Sequence, residues 1–124
     1  MAIVFTNQGA QVVLNNLDTD LAGGTLELQT SGDVEVATVT LAAGNIFTTV
    51  SGKIGTFAST TSDASATGGV VSKFTLKRAN ASAEMSGTVT STGGGGDIEI
   101  EDTNVTAGTS VNMSAGTPIT ITIQ

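Results

Sequence analysis

From Gly24 onward the chain is a succession of short segments in which apolar and polar residues alternate, and this pattern constrains the fold most. In TLELQT, Leu26 and Leu28 point to one side of a strand while Glu27 and Gln29 point to the other. Comparable segments are VEVATVTL, GKIGTFAS, VVSKFTLKR, AEMSGTVT, DIEIE, SVNMS and ITITI. About eight short strands separated by frequent turns predict a mainly β protein, either an antiparallel β-sandwich or a jelly-roll-like barrel.

One short helix is predicted ahead of these strands. Its apolar residues recur at three- and four-residue steps, at Ala10, Val13, Leu14, Leu17 and Leu21. Thr6 or Asn7 can cap the N-terminus, and Gly23 and Gly24 can end the helix. We therefore interpret residues 1–124 as a single β-sandwich domain, with an N-terminal arm and helix in 1–23 and strands in 24–124.

Two segments depart from the alternation. Ile54 and Phe57 do not share the period of two, which predicts a β-bulge near Gly55. Residues 59–69 are small and polar, but they lie in the middle of the domain, so we expect a structured surface loop there.

The composition excludes several classes of function. Threonine is the commonest residue, and the chain has no Trp, Tyr, Cys or His. The absence of His removes the commonest general base and metal ligand, and the absence of Cys removes disulfides and thiol chemistry. We therefore expect neither an enzyme nor a cofactor. A net charge of −7 with only four Lys and Arg argues against binding to nucleic acid or to an anionic membrane.

Targeting signals are not evident in the sequence. The start MAIVFTNQG has a short apolar run without a basic leader, so it does not resemble a signal peptide. No apolar stretch reaches the length of about 18 residues that a membrane helix needs. The expectation is a soluble product synthesised in the host cytoplasm.

Four glycines at 93–96 precede a cluster of carboxylates in GGGGDIEIEDTNVTAG, which raises the question of a ligand site. A phosphate-binding loop needs a Lys and a helix after its last glycine, whereas here Asp97 and an alternating strand follow. The glycines therefore predict a hairpin or loop connection.

The carboxylates themselves leave two alternatives open. Asp97, Glu99 and Glu101 alternate along a strand, so they should form one acidic stripe that faces solvent or a partner. Alternatively, Asp97, Glu99, Asp102 and Asn104 could supply oxygen ligands to a weak calcium site. An extended strand spreads such ligands about 6.6 Å apart at every second residue, which disfavours the calcium site.

The second half of the chain resembles a family of small structural proteins from the head and tail genes of tailed bacteriophages. The residues that carry the resemblance are TSDASATGG (61–69), FTLKRA (74–79), MSGTV (85–89), GDIEI (96–100), NVTAGTSVNM (104–113) and a closing TITI. The glycine run is longer than in that family, and Ser86 stands where the family has an acid. The resemblance implies a virion structural protein, and we interpret this chain as a capsid decoration or cement protein.

This interpretation implies two partners, the major capsid protein and further copies of the chain, as a homotrimer or another homo-oligomer on the capsid surface. Lacking Trp and Tyr anchors, the chain would bind through exposed strand edges. The candidate interface residues lie in the two terminal strands, at Ile3, Val4, Phe5, Ile119, Ile121 and Ile123. The alternative is that both terminal strands pair inside the domain.

Two other structural roles remain open at this point. A tail or fibre module that binds a receptor or glycan would show a polar pocket near 59–69. A tail-tube or head–tail connector subunit would use 42–52 as a loop for contacts within a ring.

Overall fold

The computed structural model describes residues 5–58, 65–109 and 119–123. One helix and ten strands follow one another in these residues, and strands account for 42% of them, so the prediction of a mainly β fold with one short helix is confirmed. The elements are α1 (Asn7–Asp20), β1 (Thr25–Gln29), β2 (Glu35–Thr40), β3 (Phe47–Ser51), β4 (Ile54–Phe57), β5 (Gly69–Val70), β6 (Lys73–Lys77), β7 (Ala83–Ser91), β8 (Ile98–Ile100), β9 (Asn104–Val105) and β10 (Thr120–Thr122).

Eight of the strands form one large sheet that curls into a half-barrel, in the order β2-β1-β6-β7-β8-β10-β4-β3. β5 and β9 form a separate two-stranded sheet. The pairs are antiparallel except for β7 and β8, which run parallel. The expectation of a purely antiparallel sheet is therefore wrong at this one junction.

The buried side chains of the large sheet form cross-strand rows. Leu26 of β1 lies opposite both Val39 of β2 and Leu76 of β6, and all three are fully buried. Further along the sheet, Ile121 of β10 lies opposite Ile98 of β8. These rows continue into a single hydrophobic core built largely from aliphatic residues, and they explain how a chain without Trp and Tyr forms its interior.

Helix α1 begins and ends close to the predicted residues. The Thr6 side chain caps its N-terminus, because its Oγ1 accepts the Gly9 N–H at 3.1 Å. The apolar face of α1 contributes Ala10, Leu14 and Leu17 to the same core as the sheet. No helix in the described residues is long and apolar enough to cross a membrane.

The predicted bulge lies in a different strand. The irregularity in pairing falls between Phe47 and Thr49 of β3, opposite a regular β4. In β4 it is Gly55 that occupies the inward position, beneath the Phe47 ring, while Ile54 is exposed. Because of the bulge, Phe47 and Val50 both face the core although they are three residues apart. The segment therefore lacks the period of two by which strands are predicted from a sequence.

Other predictions about segments have mixed outcomes. Residues 47–51 form an edge strand, so the interpretation of 42–52 as one loop is wrong. Residues 65–69 are ordered as expected, since the Ala66 N–H and C=O bond to Thr109 and Gly108. The strand predicted in SVNMS lies outside the described residues, as do residues 59–64 of the predicted loop.

Candidate interaction site

The glycine run at 93–96 forms a tight connection between the parallel strands β7 and β8. In the parallel register, Thr90 lies beside Glu99 and Ser91 beside Ile100. After the end of β7 the chain must therefore reverse direction, and it must reverse again before β8 starts. Parallel neighbours usually need a crossover of about a dozen residues or more. The loop can be this short because it folds over Thr90: a Cβ on Gly96 would lie 2.9 Å from the Thr90 backbone nitrogen.

The carboxylates after the glycines hold this loop in place. The Glu99 carboxylate accepts the Gly93 N–H at 3.1 Å and the Gly95 N–H at 3.0 Å. The Asp97 carboxylate accepts both the N–H and the hydroxyl of Thr88, each at 3.0 Å. Both side chains are half-buried, so the prediction of a free acidic stripe is wrong for Asp97 and Glu99, whereas Glu101 is exposed.

The same bonds use the oxygens that the calcium alternative requires. Asp102 Oδ1 accepts the Asn104 N–H at 2.9 Å, so it too is engaged locally. No group of three or more acidic side chains in the described residues is arranged to hold a metal ion. The glycine and carboxylate motif is therefore best explained as the structure of one loop.

A substitution at Glu99 tests this explanation. We expect Glu99→Gln to lower the free energy of unfolding by about 1–2 kcal/mol, because the amide retains one acceptor oxygen where the carboxylate has two. Urea unfolding followed by far-UV circular dichroism measures the change. The matched control is Glu101→Gln, which should shift stability by less than about 0.5 kcal/mol; equal effects of the two variants would contradict the role of Glu99.

The C-terminal candidate residues lie inside the sheet. β10 pairs with β4 on one side and with β8 on the other. Ile119, Ile121 and Ile123 are 6%, 1% and 9% exposed. The prediction that they form an exposed docking edge is wrong, because their backbone and side chains are already used within the chain. The C-terminal strand β10 therefore pairs inside the domain, which is the alternative left open in the sequence analysis.

Of the N-terminal candidate residues, Phe5 is the one whose environment the structure describes. Ile3 and Val4 lie outside the described residues, while Phe5 is 38% exposed just before the Thr6 cap of α1. Phe5 borders a cavity of about 330 Å³ with a mostly apolar lining, which we call the N-terminal groove. Its walls come from α1, the sheet and the end of the glycine loop: Phe5, Val13, Phe74, Met85, Ser86, Asp97, Ile121, Thr122 and Ile123.

Sequence reasoning did not identify Val13, Phe74 and Met85 as neighbours of Phe5. Val13 lies in α1, far along the chain from the neighbouring strands β6 and β7 that carry Phe74 and Met85. Each of the three residues has the pattern of an ordinary core residue. Only the packing of α1 against the sheet places them around one opening. A groove of this composition suits an apolar side chain or an aliphatic segment of another protein.

The basic residues are largely engaged within the chain. Lys73 pairs with Asp33 at 2.9 Å, Lys77 pairs with Glu27 at 2.7 Å, and Arg78 bonds both Asp20 and Glu84. The hydrogen bond from Lys77, assisted by one from Gln29, lowers the pKa of Glu27 below its usual value and so favours the ionised pair. Among the described residues, Lys53 is the one cation without an ion pair.

Comparison with protein-family models, with curated protein sequences and with solved structures finds no match to this chain.

Proposed function

We propose that this protein is a virion structural protein, a capsid decoration or cement protein that binds the major capsid protein through the N-terminal groove and Phe5, together with Ile3 and Val4, which precede Phe5 in the sequence. The observation that carries the proposal is the exposed Phe5 at an apolar groove on a small β-rich body. The resemblance of residues 58–124 to phage head and tail proteins supports the same role.

The charge distribution is consistent with apolar contacts as the source of binding. Three of the four cations already pair with carboxylates of the same chain, so little positive charge is left to meet acidic patches of a shell. The net charge of −7 keeps free copies apart in solution. Affinity must then come from buried apolar area, which in the described residues the groove and Phe5 offer together.

A single groove of this size gives a weak contact. A symmetric shell presents the same site many times, so weak contacts made by clustered copies add through multivalency. A decoration protein of this kind is soluble as a free chain and stays bound once neighbouring sites are filled.

Occupancy on particles tests the proposal. Particles assembled without the protein are incubated with wild-type or variant chain, and bound copies are counted by quantitative mass spectrometry. We expect Phe5→Asp to weaken binding at least about tenfold, because an anchor is replaced by a charge that must be desolvated. The matched control is Val12→Asp, which places the same charge at an apolar position of α1 that is 58% exposed, and it should bind like wild type.

Circular dichroism of each variant establishes that it is folded. A wild-type copy number in the hundreds is expected for a protein that decorates a shell. About three to eighteen copies would instead indicate a fibre or connector, and full occupancy by Phe5→Asp would show that the groove is not the contact.

A further inference from the structure

Strand β7 is longer than its neighbour β8, and this difference leaves part of one edge of β7 without a strand beside it. β7 runs from Ala83 to Ser91, but only its last residues, from Val89 onward, pair with β8. Among the described residues, the part of β7 before Thr88 therefore has β6 on one side and no strand on the other. We call this second side the open side of β7.

The hydrogen bonds of β7 show which of its backbone groups face the open side. The Val89 N–H donates to the Ser72 carbonyl, which lies on the β6 side. Successive residues of a strand point their N–H and C=O groups to opposite sides, so Thr88 faces away from β6, and its N–H indeed donates to Asp97 Oδ2 at 3.0 Å. Ser86 has the same orientation as Thr88. Its N–H and C=O therefore point to the open side, where no described residue bonds to them.

Asp97, which directly precedes β8, meets β7 with its side chain instead of continuing the strand. Its carboxylate accepts the Thr88 N–H, the bond that the backbone of a longer β8 would accept. Gly87 leaves room for this contact, because a Cβ there would lie 2.7 Å from Asp97 Oδ2. The Gly96 N–H is directed elsewhere and donates to Thr90 Oγ1 at 2.9 Å. Beyond Asp97, the described chain thus places no strand between β7 and β10.

The N-terminal groove lies at this position in the sheet. Met85 and Ser86 of β7 form one wall, the end of β10 forms the other, and Asp97 lies where β8 begins. Where β8 is present, it separates β7 from β10 by two strand spacings, about 9.5 Å, so the position has the width of one further strand. Phe74 and Ile121, both almost fully buried, line the groove from the core side. Unpaired backbone groups beside an apolar lining suit an extended strand better than a helix.

The lining also restricts the side chains that such a strand can carry. It includes Asp97 and neither Lys nor Arg, and the whole chain has a net charge of −7, so acidic side chains on the strand would be repelled. Every second residue of the strand would face Phe74 and Met85 and must therefore be apolar. The groove thus fits a segment that alternates and has no acidic residues.

We infer that the capsid protein supplies this segment, which enters the N-terminal groove as an additional strand and bonds to the N–H and C=O of Ser86. The inference rests on the proposed function, because it specifies how the shell contacts the groove. The inserted strand lies between β7 and β10 and covers the open side of β7. Main-chain bonds then add to the affinity of a surface that has no Trp or Tyr anchors.

A proline on the open side of β7 tests the inference. Ser86→Pro removes the N–H that faces the groove and places its ring in the path of the strand, but it breaks no bond between described residues. Particles assembled without the protein are incubated with each variant, and bound copies are counted. We expect Ser86→Pro to bind at least about tenfold more weakly than wild type. The matched control Ser86→Ala removes the hydroxyl but keeps the N–H, and it should bind like wild type.

Hydrogen exchange of the wild-type protein tests the inference even if Ser86→Pro fails to fold. Exchange is measured for the free and the particle-bound protein and is resolved to single residues by mass spectrometry with electron-transfer fragmentation. The Ser86 amide should exchange fast in the free protein and at least about tenfold more slowly on particles. The Met85 and Gly87 amides, which face β6, should exchange slowly in both states.

The results that would overturn the inference differ in what they mean for the proposed function. If Phe5→Asp weakens binding while a folded Ser86→Pro binds like wild type, or if particles leave Ser86 exchange unchanged, the groove contacts the shell without a strand and the proposed function stands. If both variants bind fully, the proposed contact fails together with the inference. Slow exchange of Ser86 in the free protein would show that residues 1–4, or a second copy where sedimentation detects a dimer, take the place assigned to the capsid segment.

Discussion

Replacing Ile121 with aspartate should prevent folding. Ile121 is 1% exposed in β10, which other strands flank on both sides. A carboxylate at this position would be buried without a partner, a change that costs about 4 kcal/mol or more. Since small domains are stable by only about 5–15 kcal/mol, most of the stability would be lost. The chain has no Trp or Tyr, so far-UV circular dichroism and the yield of soluble protein are the appropriate measurements.

The control for this variant is Ile54→Asp in the neighbouring strand. Ile54 is 45% exposed, so the same substitution there leaves the new charge in contact with water. We expect a folded protein with stability within about 1 kcal/mol of wild type. If Ile121→Asp folded normally and failed only to attach to particles, this result would contradict the position of β10 inside the sheet. It would instead indicate that β10 is a docking strand.

The second large effect is expected at Gly24, which precedes β1. A Cβ at this position would collide with the main-chain carbonyl oxygen of Lys77 in β6 and would lie 3.0 Å from the Leu21 carbonyl oxygen. Both obstacles are backbone atoms, so neither can be relieved by a rotamer change. Gly24→Ala should therefore lower the free energy of unfolding by about 3 kcal/mol, as measured by urea unfolding.

Gly44→Ala serves as the control for Gly24→Ala. Nothing lies within 4 Å of a Cβ built on Gly44, and its φ is not positive. The added methyl group reduces the entropy of the unfolded chain, so stability should stay the same or rise slightly. If Gly24→Ala changed the free energy of unfolding as little as Gly44→Ala, the prediction would be wrong, and β1 and β6 would be able to separate enough to accept the methyl group.

The sequence contained the information for most individual elements because their stabilising pattern is local. The period of α1, the Thr6 cap and the alternation of β1 can each be read from a few consecutive residues. β3 is not predicted from the sequence, because a bulge at Thr48 breaks the alternation of apolar and polar residues by which strands are predicted. The two-residue strands β5 and β9 are too short to show any period.

Relations between distant residues were harder to predict. The position of β10 between β8 and β4 follows from pairing across much of the chain, and no local feature of ITITI distinguishes an inner strand from an edge. The roles of Asp97 and Glu99 depend on the chain doubling back at the glycines, which placed backbone N–H groups within their reach. The N-terminal groove likewise exists only once α1 has packed on the sheet.

The place of β10 in the sheet has a consequence for how the protein assembles. The hairpin of β3 and β4 comes early in the chain, yet β10, the last of the described strands, is what joins it to β8. Until that strand arrives, the hairpin's inner edge has no neighbour to which it can bond. Completion of the sheet must therefore wait for a pairing between Thr56 and Thr120, which are separated by about half of the chain. We expect such a long-range contact to slow folding and to leave the unpaired hairpin open to proteolysis in the meantime.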